Sequence, residues 1–247
     1  MIPIYVLVSV ILVSMVSLVG ALTLAIKEKF LKKVLIFFVA FSTGALIGDS
    51  FIHLLPEAVE KNGFSTSISL SIFLGILVFF ILEKILRWRH CHEIDCGDHS
   101  GRLGTMNLVG DAVHNFLDGV LIAVSYLVSI PLGIATTVAV VLHEIPQELG
   151  DFGVLIHSGF TKKKAILFNF LSASAAIAGS FIALVLGQRM QSFSELMVPF
   201  AAGGFIYIAM SDLIPELHKE SEWQKSLQQL LFIIFGVAVM FSLIYLE

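Results

Sequence analysis

Two short stretches of this chain carry side chains able to do chemistry together. The first reads Asp111-Ala-Val-His114-Asn115-Phe-Leu-Asp118-Gly119, the second His143-Glu144-Ile-Pro146-Gln147-Glu148-Leu-Gly-Asp151. On a helix, steps of three and four put Asp111, His114, Asn115 and Asp118 along one face. In the second stretch His143 lies one turn from Gln147, Glu144 one turn from Glu148, and Asp151 continues the latter stripe. Carboxylate, imidazole and carboxamide groups without thiolates suit Zn²⁺, Fe²⁺, Mn²⁺ or a similar ion. Lacking a cation, so many acids in low dielectric would repel one another. Pro146 points the same way. It cannot donate to the Leu142 carbonyl, so the helix opens beside the polar cluster and the freed oxygen is available to line a path.

The elements that must position these groups are apolar. The chain has 247 residues, 57% of them hydrophobic and 14% charged, with a mean hydropathy of +0.94. Soluble domains run at about 25% charged, so the soluble globular class is excluded. At roughly 20 residues per crossing there is room for about eight helices. Apolar stretches place them near 4–26, 34–56, 66–87, 105–128, 132–157, 165–187, 195–217 and 226–246. The run at 72–80 does not alternate, which excludes a β-barrel. The first stretch is too long for a signal-peptide core, lacks a basic leader and runs into Lys27-Glu28-Lys29, so it counts as a span. The expectation is an all-α polytopic membrane protein, a single domain over 1–247, with a cytoplasmic loop at 88–104. A formal net charge of -4 and no basic arm argue against nucleic-acid binding, and two cysteines in one short segment make no disulfide framework.

Each ionisable group at a helix centre costs about 2.5–3.5 kcal/mol, so it persists only beside a cavity, a partner or an ion. Span two adds Asp49 and His53, and span seven adds Asp212 and Glu216, each pair four residues apart. His157 and His218 sit near helix ends, and Glu57, Glu60 and Glu216 near membrane surfaces, where charge costs little. A lone Asn115 or Gln147 also has an ordinary reading as interhelical glue. Orientation follows from basic residues. Alternate loops collect Lys27, Lys29, Lys32, Lys33, Lys84, Arg87, Arg89, Arg102, Lys162, Lys163, Lys164, Lys219 and Lys225, thirteen of the fifteen, leaving Lys61 and Arg189 outside. Both termini are therefore expected to face the exterior or a lumen.

An internal repeat is also legible. Residues 44–57 align with 203–216 through Gly44/Gly203, Ile47/Ile206, Leu54/Leu213, Pro56/Pro215 and Glu57/Glu216, with His53 opposite Asp212. Spans two and seven cross in opposite directions, so the match suggests inverted three-helix repeats flanking spans four and five, the symmetry of many secondary transporters. The loop donors His90, Cys91, His92, Cys96 and His99 suit zinc, but not at the spacing of a structural finger. Weak metal collection and a plain hydrophilic connector are both open.

The pair His114-Asn-Phe-Leu-Asp-Gly119 and His143-Glu-Ile-Pro-Gln-Glu-Leu-Gly-Asp151 resembles the signature of the Zrt/Irt-like protein (ZIP) metal transporters, in the branch with HNFxDG in span four and HExPHExGD in span five. The resemblance extends over the whole chain and includes the HLLPEA and DLIPEL segments. It implies that His114, Asn115, Asp118, His143, Glu144 and Gln147 line a mid-membrane transport site. It further implies that Asp49 and His53 approach that site, that Asp212 lies on the cytoplasmic exit, and that the site helices move against a scaffold in a homodimer. Gln147 departs from the branch, which carries histidine there, and leaves open whether a second ion is held.

The function these residues point to is import of Zn²⁺, or of Fe²⁺, Mn²⁺ or Cd²⁺, as transported substrate with no resident cofactor. Asp111, Glu148, Asp151, Asp212 and Glu216 are expected along the pathway. Short loops and no evident targeting segment point to the plasma membrane. A transporter is not expected to be an enzyme. The rival is an intramembrane zinc hydrolase, since His143-Glu144 begins like the HExxH helix; Gln147 removes its second histidine, which His114 would have to replace. A cation channel would explain the acids but not the paired imidazoles.

Overall fold

The computed structural model describes residues 1–22, 28–88, 100–189 and 193–246, and among them every regular element is helical. Eight helices follow one another. α1 is Ile2–Val16, and α2 runs over 28–62 with a π-helical stretch at Asp49–Leu54. α3 is Thr66–Trp88, α4 Ser100–Val128 and α5 Ile130–His157. α6 covers 162–189, α7 covers 193–217 with a second π stretch at Ala209–Leu213, and α8 is Trp223–Leu243. Seven of these, all but α1, contain segments long and apolar enough to cross a membrane. The protein is an integral, multi-pass membrane protein. The loop donors His90, Cys91, His92, Cys96 and His99 lie outside the described residues.

The first span differs from expectation. Instead of a rod over 4–26, α1 stops at Val16 and a short turn of helix follows at Val19–Leu22. The Ser17 hydroxyl donates back to the Ser14 carbonyl at 2.7 Å, competing with continuation of the helix. Beyond the bend, Gly20 lies against α5 so closely that a Cβ there would stand 2.9 Å from the Phe152 ring. Elsewhere the ends follow local chemistry. Ser129 caps α5 by accepting from the Leu132 N–H at 3.2 Å, with Pro131 in the first turn.

Both π stretches precede a proline, Pro56 in α2 and Pro215 in α7. Proline removes a donor and crowds the preceding turn, and the wider π turn accommodates it, carrying the Leu55 N–H to the Ser50 carbonyl and the Ile214 N–H to that of Ala209. The α5 proline is handled differently. Ser42 of α2 donates to the Leu142 carbonyl at 2.5 Å. The oxygen freed by Pro146 is thus consumed by a neighbouring helix rather than left to line a path, which corrects that expectation.

Three helix pairs meet backbone to backbone at glycines. A Cβ on Gly44 would come within 2.0 Å of the Ile233 carbonyl oxygen of α8, and one on Gly236 within 2.3 Å of that of Phe41. Gly75 and Gly203 do the same for α3 and α7, as Gly119 and Gly179 do for α4 and α6. Small residues permit such approach where lipid supplies no hydrophobic drive between helices. The packing separates α1, α4, α5 and α6 from α2, α3, α7 and α8, with α2 against α5 as the principal seam.

Candidate metal centre

α4 and α5 lie side by side and turn their polar faces toward each other. His114 Nε2 and His143 Nε2 are 3.3 Å apart. Asp118 Oδ2 stands 3.2 Å from His143 Nε2 and 3.7 Å from His114 Nε2. Glu144 Oε1 is 3.4 Å from His114 Nε2 and 3.6 Å from that of His143. One ligand atom from each residue falls within 4.8 Å of all the others. Asp118 and Glu144 are fully buried, while the His114 side chain keeps 17% exposure. Such spacing matches donors that share one ion.

Neighbouring groups hold the rings. His143 Nδ1 lies 3.1 Å from the Ala139 carbonyl, which can only accept, so Nδ1 carries the proton and Nε2 presents its lone pair. Phe79 of α3 meets His114 edge-on at 5.9 Å between ring centres, and Phe205 of α7 meets His143 at 5.9 Å. No lysine or arginine among the described residues lies within ion-pair distance of Asp111, Asp118, Glu144, Glu148 or Asp151. Both oxygens of Asp118 and of Glu144 are buried without a hydrogen-bond partner. The imidazole contacts have ion-pair length but not hydrogen-bond direction. Each buried orphan acceptor costs about 1–3 kcal/mol, more when charged. A divalent cation would satisfy four at once.

A second group, Asp111, Glu144 and Glu148, also brings one ligand atom each within 4.8 Å of the others and shares Glu144 with the first. Asn115 donates from Nδ2 to Asp111 Oδ1 at 2.8 Å, and Asn107 donates to Asp151 Oδ1 at 3.0 Å. From α6, Ser172 bonds Asp111 Oδ2 and Asn169 bonds Glu148 Oε2.

A cavity of about 770 Å³ reaches His114 and His143 from the end of the bundle holding the start of α4 and the ends of α5 and α7. Asp111, Gln147, Asp151, Asp212 and Glu216 lie on its wall, with Glu83 and Tyr207, whose hydroxyl donates to Glu83. On the far side of the ligands, Leu121 to Val124 on α4 and Ala139 and Val140 on α5 are buried. Among the described residues these apolar groups close that side, and the site opens toward the cavity.

The residues picked from sequence thus divide. His114, Asp118, His143 and Glu144 converge; Asp111 and Glu148 join through Glu144. Asn115 serves Asp111, and Gln147 faces the cavity. Asp212 and Glu216 stand exposed near the mouth. Asp49 and His53 are brought to neither group nor to the cavity wall: both are buried in the α2 π stretch, where His53 Nε2 lies 2.9 Å from the Met240 carbonyl of α8. Sequence reading missed Ser42, Asn107, Asn169 and Ser172. Polar residues in otherwise apolar spans were the one signal available for them.

Comparison with known proteins extends over nearly the whole chain. The family described as "ZIP Zinc transporter" matches residues 1–102 and 88–244. The zinc transporter ZIP13 homolog of Drosophila melanogaster is 32% identical over 272 residues, covering 84% of this chain and 77% of that protein. Zinc transporter ZIP13 of Pongo abelii is 35% identical, covering 81% of this chain and 64% of that one. Zinc transporter YKE4 of Saccharomyces cerevisiae is 34% identical, covering 82% and 68%. The chain therefore spans about two thirds to three quarters of the length of these relatives.

Proposed function

The chain belongs to the ZIP zinc transporter family, and on that premise we propose that it imports Zn²⁺, or a related divalent metal, through the site between α4 and α5. One observation carries the assignment of the site: His114, Asp118, His143 and Glu144 converge within 4.8 Å, the last three buried, without any lysine or arginine among the described residues to balance them. Asp111, Gln147, Asp151, Asp212 and Glu216 form the path from this site along the cavity, with Asn115 and Glu148 beside it. A carboxylate-rich set exchanges ligands readily, so it binds strongly enough to select and weakly enough to release.

The one-sided cavity corresponds to a state open to the cytoplasm, with both termini on the opposite side. Alternating access then requires α1, α4, α5 and α6 to shift against α2, α3, α7 and α8, a division that the packing supports. The inverted repeat finds support in the placement of the π stretches: in the register that pairs Gly44 with Gly203, residues 50–54 correspond to 209–213. The Gly44–Gly236 and Gly75–Gly203 crossings are images of each other under the same exchange. Fe²⁺, Mn²⁺ and Cd²⁺ are further candidate cargoes, and a plasma-membrane homodimer is the proposed assembly. The hydrolase reading gains nothing from the structure, and the relatives carry transporter names.

Zinc flux into proteoliposomes tests the proposal. His114→Ala and Asp118→Ala should abolish uptake in protein that elutes like the wild type; unchanged flux defeats the assignment.

A further inference from the structure

We propose that Glu83 of α3 receives the ion as it leaves the histidine set, and that Tyr207 of α7 positions Glu83 to do so. The inference rests on the reading of that set as the transport site and adds its release step. Phe79 marks the depth of the site on α3: its buried ring meets His114 edge-on at 5.9 Å. That ring is seated against α7, where a Cβ on Gly204 would stand 2.5 Å from it. Glu83 follows four residues later, one turn and about 6 Å nearer the open end, and both residues line the cavity wall. Tyr207 fixes the carboxylate from the neighbouring helix. Its hydroxyl donates to Glu83 Oε2, and its ring meets that of Phe80 edge-on at 6.4 Å between centres. Two turns before Glu83, a Cβ on Gly75 would stand 2.1 Å from the Phe200 carbonyl oxygen, so the backbones of α3 and α7 are locked together behind the pair.

Depth and ownership separate Glu83 from the other acids of the wall. Asp111 and Asp151 belong to α4 and α5 and travel with the histidines. Asp212 and Glu216 share the opposite group with Glu83, but both follow Tyr207 on α7 and stand exposed near the mouth, whereas Glu83 is half-buried. A dication leaving its ligands meets Leu35, Ile36, Val39 and Leu82 on the same wall, and a charge beside apolar groups is costly. A carboxylate at that level lowers the cost, and a single one binds weakly enough to let go. Because Glu83 stays with α2, α3, α7 and α8, an ion it has taken is not drawn back when α4 and α5 shift. The phenol orients the carboxylate without adding positive charge, so the pull on a cation is kept.

Zinc uptake into proteoliposomes over a range of zinc concentrations, set beside equilibrium zinc binding in detergent, tests this. Glu83→Gln keeps the side chain's size and an oxygen for Tyr207 to donate to, and removes the charge. It should lower the maximum uptake rate by about 10–100-fold, the scale seen on disturbing metal-site partners. The half-saturating concentration should not rise, and zinc binding at the histidines should stay as in the wild type. Tyr207→Phe keeps the ring and every carboxylate. It should lower the maximum rate in the wild-type background but not further in the Glu83→Gln background, because it acts through Glu83. Wild-type maximum uptake in Glu83→Gln, zinc binding lost there along with uptake, or losses that multiply in the double variant would each overturn the inference. If Glu83→Gln does not fold, an unchanged maximum rate in Tyr207→Phe overturns it alone. All of these results leave the transport site standing; uptake that survives His114→Ala and Asp118→Ala defeats that reading instead.

Discussion

Ser42 and Pro146 make a closed test of how this bundle tolerates an irregular helix. Pro146 cannot donate to the Leu142 carbonyl, and Ser42 supplies the missing hydrogen bond from α2 at 2.5 Å. Ser42→Ala leaves that acceptor orphaned, at a cost of about 1–3 kcal/mol. For a chain of this size that corresponds to a melting temperature lower by about 2–12 °C. In a Pro146→Ala background the restored N–H at position 146 satisfies Leu142 from within α5, so Ser42→Ala should then cost about 0.5 kcal/mol or less, the size of an ordinary substitution. The coupling energy of the cycle is the difference, about 0.5–3 kcal/mol, against at most about 0.3–0.5 kcal/mol for independent sites. Thermal unfolding of the four proteins in one detergent measures it. Costs that add within that margin would refute the reasoning, because they would mean the Ser42 hydroxyl does not serve the carbonyl that proline frees. Ser42 also bridges the principal seam between the two helix groups, so zinc flux on the same four proteins shows whether the bond must break during transport.

Valine at Gly119 or Gly179 should prevent the α4–α6 approach, since even a Cβ would stand 1.9 Å from the carbonyl oxygens of Ala176 and Phe116; loss of a monodisperse peak on gel filtration checks it. Ser172→Ala removes the α6 donor to Asp111 and is expected to slow zinc flux while leaving zinc bound at the histidines, as separate flux and equilibrium-binding assays would report. Zinc binding should weaken on acidification and return on neutralisation, because imidazole must be unprotonated to bind metal; titration calorimetry at several pH values reads the sign, and affinity that rises on acidification would contradict histidine ligation. Removing the aromatic wall with Phe205→Ala should loosen the His143 ring and lower zinc affinity with less effect on the fold than Gly119→Val, judged by binding and melting together.

Much of the fold was legible because lipid imposes simple rules. Composition alone demanded membrane helices, and the spacing of Asp111, His114, Asn115 and Asp118 marked one face of span four before any coordinates. The proline at 146 announced an unpaired carbonyl, yet nothing local said which group would claim it. That answer lay on a helix 100 residues away. Asp49 and His53 have the types and spacing of ligands; the structure holds both in the buried α2 π stretch, with His53 Nε2 against the Met240 carbonyl, a placement that spacing alone does not reveal.

Residue types and helical periodicity by themselves determined that there would be about eight spans, that four or more ionisable groups would face one another from spans four and five, and that a divalent ion was the economical partner for them. The first two follow from short-range physics, the width of a bilayer and the pitch of a helix, and the third from the repulsion of acids in low dielectric. Only the tertiary structure decided that Glu144 joins two ligand sets, that α6 brings Asn169 and Ser172 to the acids, and that the site opens at one end. Those depend on how closely helices distant in sequence approach and at what rotation, and glycine crossings and interhelical hydrogen bonds settle that only once the bundle has formed.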